Sequence, residues 1–271
     1  MMPIRRPDPP AGWVEKATQE HQRLAALRQT PQREDIKDGY RDAQRPMWKA
    51  QHMKCAWCEE PRDTPYEPVD HYRPCGKAQH AEGAEKADGY WWLAWEWTNL
   101  LFTCRQCNGK KGDKFFLADP SKALSAGRPA PGDEQPLLID PAGAGPHPAT
   151  LIRFERVEEK GGTVRWRPTP IDDSEHAVQT IFICGLASNR DVRDRHLNQT
   201  VAKVAEDLRA ADPPTARDWR RVLDLLDQQQ QWVLATYDAL EQYLSLELRQ
   251  ACPGGWPERT DLPIDADAWA G

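Results

Sequence analysis

No run of about 18 apolar residues occurs anywhere in the 271-residue chain, and mean hydropathy is −0.80, so a membrane-spanning helix is not expected. The opening Met1-Met2-Pro3-Ile4-Arg5-Arg6-Pro7 is basic but lacks the apolar core of a secretory signal, and a cytoplasmic location is the expectation. An excess of positive charge is also missing. With 36 Lys+Arg against 42 Asp+Glu the formal net charge is −6, which argues against a protein that coats nucleic acid without specificity but leaves room for a local basic site. No internal repeat is visible. What the chain does have is 7 Cys, 12 Trp and 24 Pro, in a length that suits one large domain or two modest ones. In a reducing compartment, paired cysteines point to metal ligation before disulfides.

The composition divides the chain. Residues 1–32 form an N-terminal arm, proline-rich and then polar, in which Val14, Leu24 and Leu27 are too sparse to define a core face. Residues 33–118 start with a short helix ending near His52 and become dense in Cys and Trp from Cys55 to Phe116. Prolines from Pro120 to Pro148 punctuate Gly and Ala and mark 119–150 as a linker. In 151–257, Leu151–Val157 and Thr163–Arg167 flank Lys160-Gly161-Gly162 as a β-hairpin. Ser188 with Asp191 then resembles a capping box ahead of Leu197, Val201, Val204 and Leu208 on one helix face. Thr215 with Asp218 predicts a longer helix, its stripe running from Trp219 to Leu248 over about eight turns, part of it left for a partner. Pro253-Gly254-Gly255 ends that helix, and the acidic tail 258–271 is expected to be mobile. The fold class is α+β.

Two C-x-x-C pairs, Cys55/Cys58 and Cys104/Cys107, offer four thiolates to a tetrahedral structural Zn²⁺. The interval Glu59–Thr103 is longer than usual zinc-ribbon spacing, so something is inserted between the knuckles. A thioredoxin-like redox pair is the competing reading; two pairs and no βαβ pattern weigh against it. Cys75, Cys184 and Cys252 read as ordinary thiols. Within the insertion lies Val69-Asp70-His71-Tyr72-Arg73-Pro74. Adjacent side chains on an ideal strand point to opposite faces, so Asp70 and His71 converge on one site only if the strand bends or twists. Trp97-Thr98-Asn99-Leu100 precedes the second knuckle, and Asn108 follows Cys107, where it is expected to open a helix. Lys110, Lys111 and Lys114 with Arg105 make a local positive stretch suited to backbone phosphates.

Asp70-His71, Asn99-Leu100 and Cys104-x-x-Cys107-Asn108-x-x-Lys111 together resemble the zinc-stapled branch of the HNH endonucleases. That resemblance implies a ββα-metal unit, a hairpin and a helix around one divalent cation, followed here by the second hairpin and the helical C-terminal region. It implies Asp70 as a ligand of Mg²⁺ or Mn²⁺, His71 as general base, and Asn99 as the brace that orients the histidine. Asn108 stands where the family often has a metal-binding His; its amide oxygen suits a hard cation. The stretch Gly89–Leu100, with Pro136-Leu137-Leu138-Ile139-Asp140-Pro141, is similar to the HNH nuclease subunit of Septu-type anti-phage systems, which some retrons also carry. An ATPase subunit is the partner this implies, and in the retron form a reverse transcriptase with its nucleic acid. The expected activity is phosphodiester hydrolysis, with DNA favoured over RNA. A catalytically silent zinc module that binds nucleic acid or protein is the alternative, and a thiol oxidoreductase the third. The indoles of Trp91–Trp97 are expected to pack the hairpin and knuckles.

Overall fold

The computed structural model describes residues 1–188 and 190–265. In chain order it has α1 (Trp13–Ala25), α2 (Gln44–Ala50), β1 (Val69–His71), β2 (Lys77–Ala78), β3 (Ala87–Asp88), β4 (Leu100–Phe102) and α3 (Arg105–Lys111). The second half has β5 (Ile152–Glu158), β6 (Val164–Pro170), α4 (Glu175–Ile183), α5 (Asp191–Arg195), α6 (Ala202–Ala210), α7 (Ala216–Leu223), α8 (Val233–Tyr243) and α9 (Leu246–Gln250), with a π-helical turn, His196–Val201, joining α5 to α6. Helices and small antiparallel sheets are mixed, as the α+β expectation has it. Among the described residues no helix is long and apolar enough to cross a membrane.

The pair that positions the site is β1 against β4, antiparallel, with Val69 opposite Phe102, Asp70 opposite Leu101 and His71 opposite Leu100. Side chains alternate across a strand, and here the alternation divides two cores. Leu100 and Phe102 enter a cluster with Trp13, Tyr40, Met47, Trp95 and Trp97. Leu101 enters a larger one that holds the knuckle cysteines, Trp57, the β5–β6 hairpin and the helices of the second half. The pair is therefore a wall buried on both sides, and Leu100, Leu101 and Phe102 are all fully enclosed. That larger cluster also contains Leu137, Leu138 and Ile139 from the linker segment. The boundaries near 118 and 150 thus mark changes in chain composition within a shared core.

Several expectations need correction. Trp13 and Leu24 suffice to dock α1, because they lie about three turns apart on one face and Trp13 meets the rings of Trp95 and Trp97 at 5.5 and 4.8 Å. Trp95 and Trp97 consequently pack the N-terminal arm more than the knuckles, and the Trp97 indole donates to Pro7 O at 2.7 Å. Asn108 lies within α3 and does not open it; the helix is capped by Cys104. The N-cap of α5 is Arg190, not Ser188. Thr215 and Asp218 do form the expected reciprocal cap of α7.

The long C-terminal helix is broken. Gln228 to Gln231 interrupt the apolar period, and the Lys54 ammonium takes up the Gln228 and Gln230 carbonyls at 2.8 and 2.7 Å, outside any helical ladder. Trp232 then takes a left-handed turn (φ 50°) before α8. Trp219, Val222, Leu226, Val233 and Leu240 are all buried within the chain. No eight-turn face is left over for a partner. The tail is ordered as far as it is described: Arg259 forks onto Asp238 at 2.6 and 2.8 Å, and Ile264 N–H donates to Leu226 O at 3.1 Å. Residues 266–271 of the predicted tail lie outside the described residues.

Candidate active site

The four knuckle cysteines gather as their spacing predicts. All four Sγ atoms lie within 4.8 Å of one another, and among the described residues they are the one group of three or more His, Cys, Asp or Glu able to hold a metal. Tetrahedral Zn²⁺ with Zn–S bonds of about 2.3 Å sets sulfurs roughly 3.8 Å apart; Cys58 and Cys104 are 3.9 Å apart. The surroundings also suit thiolates. Cys104 N–H points at Cys55 Sγ (3.2 Å), Cys107 N–H at Cys104 Sγ (3.4 Å), and the buried Arg190 guanidinium at Cys107 Sγ (3.3 Å). The cluster fits a zinc site. It is fastened to the wall through Ala56 N–H to Phe102 O at 3.0 Å.

A cleft of about 700 Å³ is lined by Asp70, His71 and Asn108, with Arg105 on its wall. Although the two neighbours on β1 have opposite strand parity, both reach this cleft. Each is also tightly held. Asp70 Oδ2 accepts from the Trp57 indole at 2.9 Å and Oδ1 from the Lys111 ammonium at 3.0 Å. Lys111 also donates to His71 O at 2.6 Å and is fully buried. Asn108 sits one turn before Lys111, so the two share a face of α3. Carboxylate and amide oxygens are hard donors, and each Asp70 oxygen keeps a second lone pair. Donors of this kind are what Mg²⁺ takes beside its waters, and the Lys111 ammonium already occupies one side of the Asp70 carboxylate.

His71 Nε2 lies 2.8 Å from the Ala94 carbonyl. A carbonyl can only accept, so Nε2 carries the proton and Nδ1 is the basic nitrogen. Nδ1 faces the Cys75 thiol at 3.6 Å, and burial pushes that thiol up to about 11. Burial, aided by the charges of Lys111 and Arg33, lowers the His71 pKa to about 4, so the imidazole is neutral at physiological pH. Tyr40 packs edge-on to the ring at 4.6 Å.

Asn99 does not touch the imidazole. Its amide donates to Leu93 O and Arg73 O, both at 3.1 Å, and accepts from Arg73 N–H at 2.8 Å. It thereby ties the residues after His71 to the loop that presents Ala94, acting on the histidine at one remove. Of the four basic residues read as phosphate contacts, Arg105 alone lines the cleft. Lys111 is enclosed and committed to Asp70. Lys110 packs against Gly185, and Lys114 bonds to Lys110 O at 2.7 Å. The cationic residues that sequence reasoning missed are Arg33, Arg41 and Lys77, which share the cleft wall. Arg33 and Arg41 come from short 3-10 turns and Lys77 from β2, all outside any motif, so only their charge could have suggested them.

No family model and no solved structure matches the chain. The Septu protein PtuB of Bacillus mycoides (strain KBAB4) is 32% identical to it over 162 residues, 57% of this chain and 48% of that protein. The chain thus spans about half the length of that relative, to which it is homologous over about half of its own, and it carries a four-cysteine cluster that fits zinc.

Proposed function

We propose that the chain is a metal-dependent HNH-type endonuclease, the effector of an anti-phage defence system that works with an ATPase subunit. One observation carries this reading: Asp70, His71 and Asn108 line a single cleft, with a neutral imidazole whose basic Nδ1 is left without a backbone partner. Similarity to a Septu protein supports the defence role and, through that kinship, the ATPase partner. Asp70 and Asn108 would hold Mg²⁺ or Mn²⁺, which when bound supplies charge to a phosphodiester and its leaving oxygen. His71 Nδ1 takes a proton from the attacking water as the P–O bond to the leaving oxygen breaks. Asn99 and the Ala94 carbonyl keep the imidazole in the tautomer that can do so. Trp57 and Lys111 fix the Asp70 carboxylate. DNA is the favoured substrate.

Plasmid nicking with added Mg²⁺ or Mn²⁺, beside a His71→Ala control, tests the proposal. Metal-dependent nicking lost in the control supports it. Nucleic-acid binding without cleavage, with or without the co-expressed ATPase, would favour the alternative of a silent zinc module.

A further inference from the structure

The nuclease reading leaves open whether the strand that enters the cleft is paired. At the mouth stands Tyr66, whose side chain is 72% exposed, the highest value among the exposed large hydrophobic side chains of the described residues. An exposed ring is often a floppy one, but this one sits on a short stiff segment, Thr64-Pro65-Tyr66-Glu67-Pro68, with a proline on either side. Glu67 is fastened at both ends: its carbonyl accepts from Gln44 Nε2 at 2.7 Å, and its carboxylate from Arg105 N–H at 3.2 Å. Tyr66 and Arg105 both line the cleft, and Arg105, its side chain 82% exposed, lies 3.7 Å from the carboxylate of Glu67, the neighbour of Tyr66 in sequence. Elsewhere on the lining, Arg33 and Arg41 share a single carboxylate, Asp38, at 3.0 and 3.1 Å, and Glu34 stands on the same wall, so the charges there balance and the guanidiniums offer directional donors rather than a net field. Lys77 and Asp113, also on the lining, are neutralised by Asp88 and Lys86.

Depth adds a second argument. Asp70 and His71 are 5% and 7% exposed, so a phosphate must pass below the rim to reach them. A duplex hides its base faces in its own stack and is stiff; an unpaired strand can dip into the cleft and offer a base face to an aromatic ring. We propose that Tyr66, with Arg105 and Arg41, forms a lip that binds an unpaired nucleic-acid strand, a base stacked on the tyrosine ring and backbone phosphates on the guanidiniums. This rests on the nuclease reading for the direction of the strand, toward His71, but its binding test does not depend on cleavage.

Fluorescence anisotropy of the full chain, without added divalent cation, is measured against labelled oligonucleotides of about 12 nucleotides: single-stranded DNA, single-stranded RNA and duplex DNA. The lip predicts that single strands bind more tightly than duplex. Tyr66→Ala should weaken single-strand binding by about 5- to 100-fold, the usual effect of removing a stacking platform, while zinc content and Tm stay unchanged. Tyr66→Trp should restore it. Comparable affinity for DNA and RNA supports recognition through base face and phosphate; preference for one supports the lip with an added sugar contact. Wild-type single-strand affinity in Tyr66→Ala, or preference for duplex in the wild type, overturns the proposal. Duplex nicking at the wild-type rate by Tyr66→Ala would end the lip and leave the nuclease reading standing. Stacking-dependent binding without cleavage under any condition would do the reverse.

Discussion

The cysteine corner and the cleft are built on the same elements, β4, α3 and the strand paired with β4, yet they are finished differently. In the corner, four soft donors face one another and the surrounding N–H groups and Arg190 already point at sulfur. Nothing there remains for a substrate. In the cleft, Asp70 and Asn108 offer few, hard donors, and the basic nitrogen of His71 meets only the Cys75 thiol, at 3.6 Å. A closed ligand set makes metal part of the fold, whereas an incomplete one leaves room for water and a reacting group. Losing the first should cost structure; losing the second should cost chemistry.

The sharpest way to break the contrast is at the corner. Cys107→Ser, or Cys55→Ser, should lose zinc and the soluble fold together, because ligand binding there is folding energy. Metal analysis with circular dichroism checks this, and a native, zinc-free wild type would remove the distinction. The cleft should behave oppositely. His71→Ala is expected to lower cleavage by about 10²–10⁴-fold, the usual share of a general base, with zinc content unchanged. Asp70→Ala should abolish the response to Mg²⁺ or Mn²⁺, as titrations of nicking against either ion would show.

The smallest effect is a pH slope. His71 titrates near 4 in the folded chain against about 6.5 unfolded. Between those values the unfolded state binds more protons, so this contribution is complete above pH 6.5 and is lost as pH falls toward 4, by roughly 3 kcal/mol at most. Asp238, raised to about 6 by burial, acts in the other direction, its contribution declining as pH rises from about 4 to 6. Comparing urea midpoints of wild type and His71→Gln across pH 4–7 cancels Asp238. The variant should show the shallower acid loss, and parallel curves would mean that His71 is not held neutral.

Some of this was legible in the chain. The knuckles, the hairpin and the cap at Thr215 announce themselves because each depends on residue type at fixed spacing. Asp70, His71 and Asn108 could be nominated only through their resemblance to the HNH motif. The carbonyl of Ala94 could not, since every residue has one and only the fold decides which carbonyl meets an imidazole. Lys111 was misread because charge suggests a surface, whereas its position one turn after Asn108 places it under Asp70. The stripe from Trp219 to Leu248 looked continuous because an interruption of four glutamines is tolerable in a helix; that Lys54 would take their carbonyls depends on a contact across most of the chain.

The seam beneath the knuckle has a mechanical consequence. Val233 N–H, at the first turn of α8, donates to Glu59 Oε2 at 2.9 Å, and Lys54 clasps the turn just before it. Both residues flank Cys55 and Cys58, and the same knuckle is hooked to β4 through Phe102 O. A pull on α8 is therefore transmitted by stiff, directional bonds through the cysteine corner to the strand pair bearing Asp70 and His71. The helices of the second half are thus tied to the cleft floor by polar bonds as well as by the core they share with Leu101.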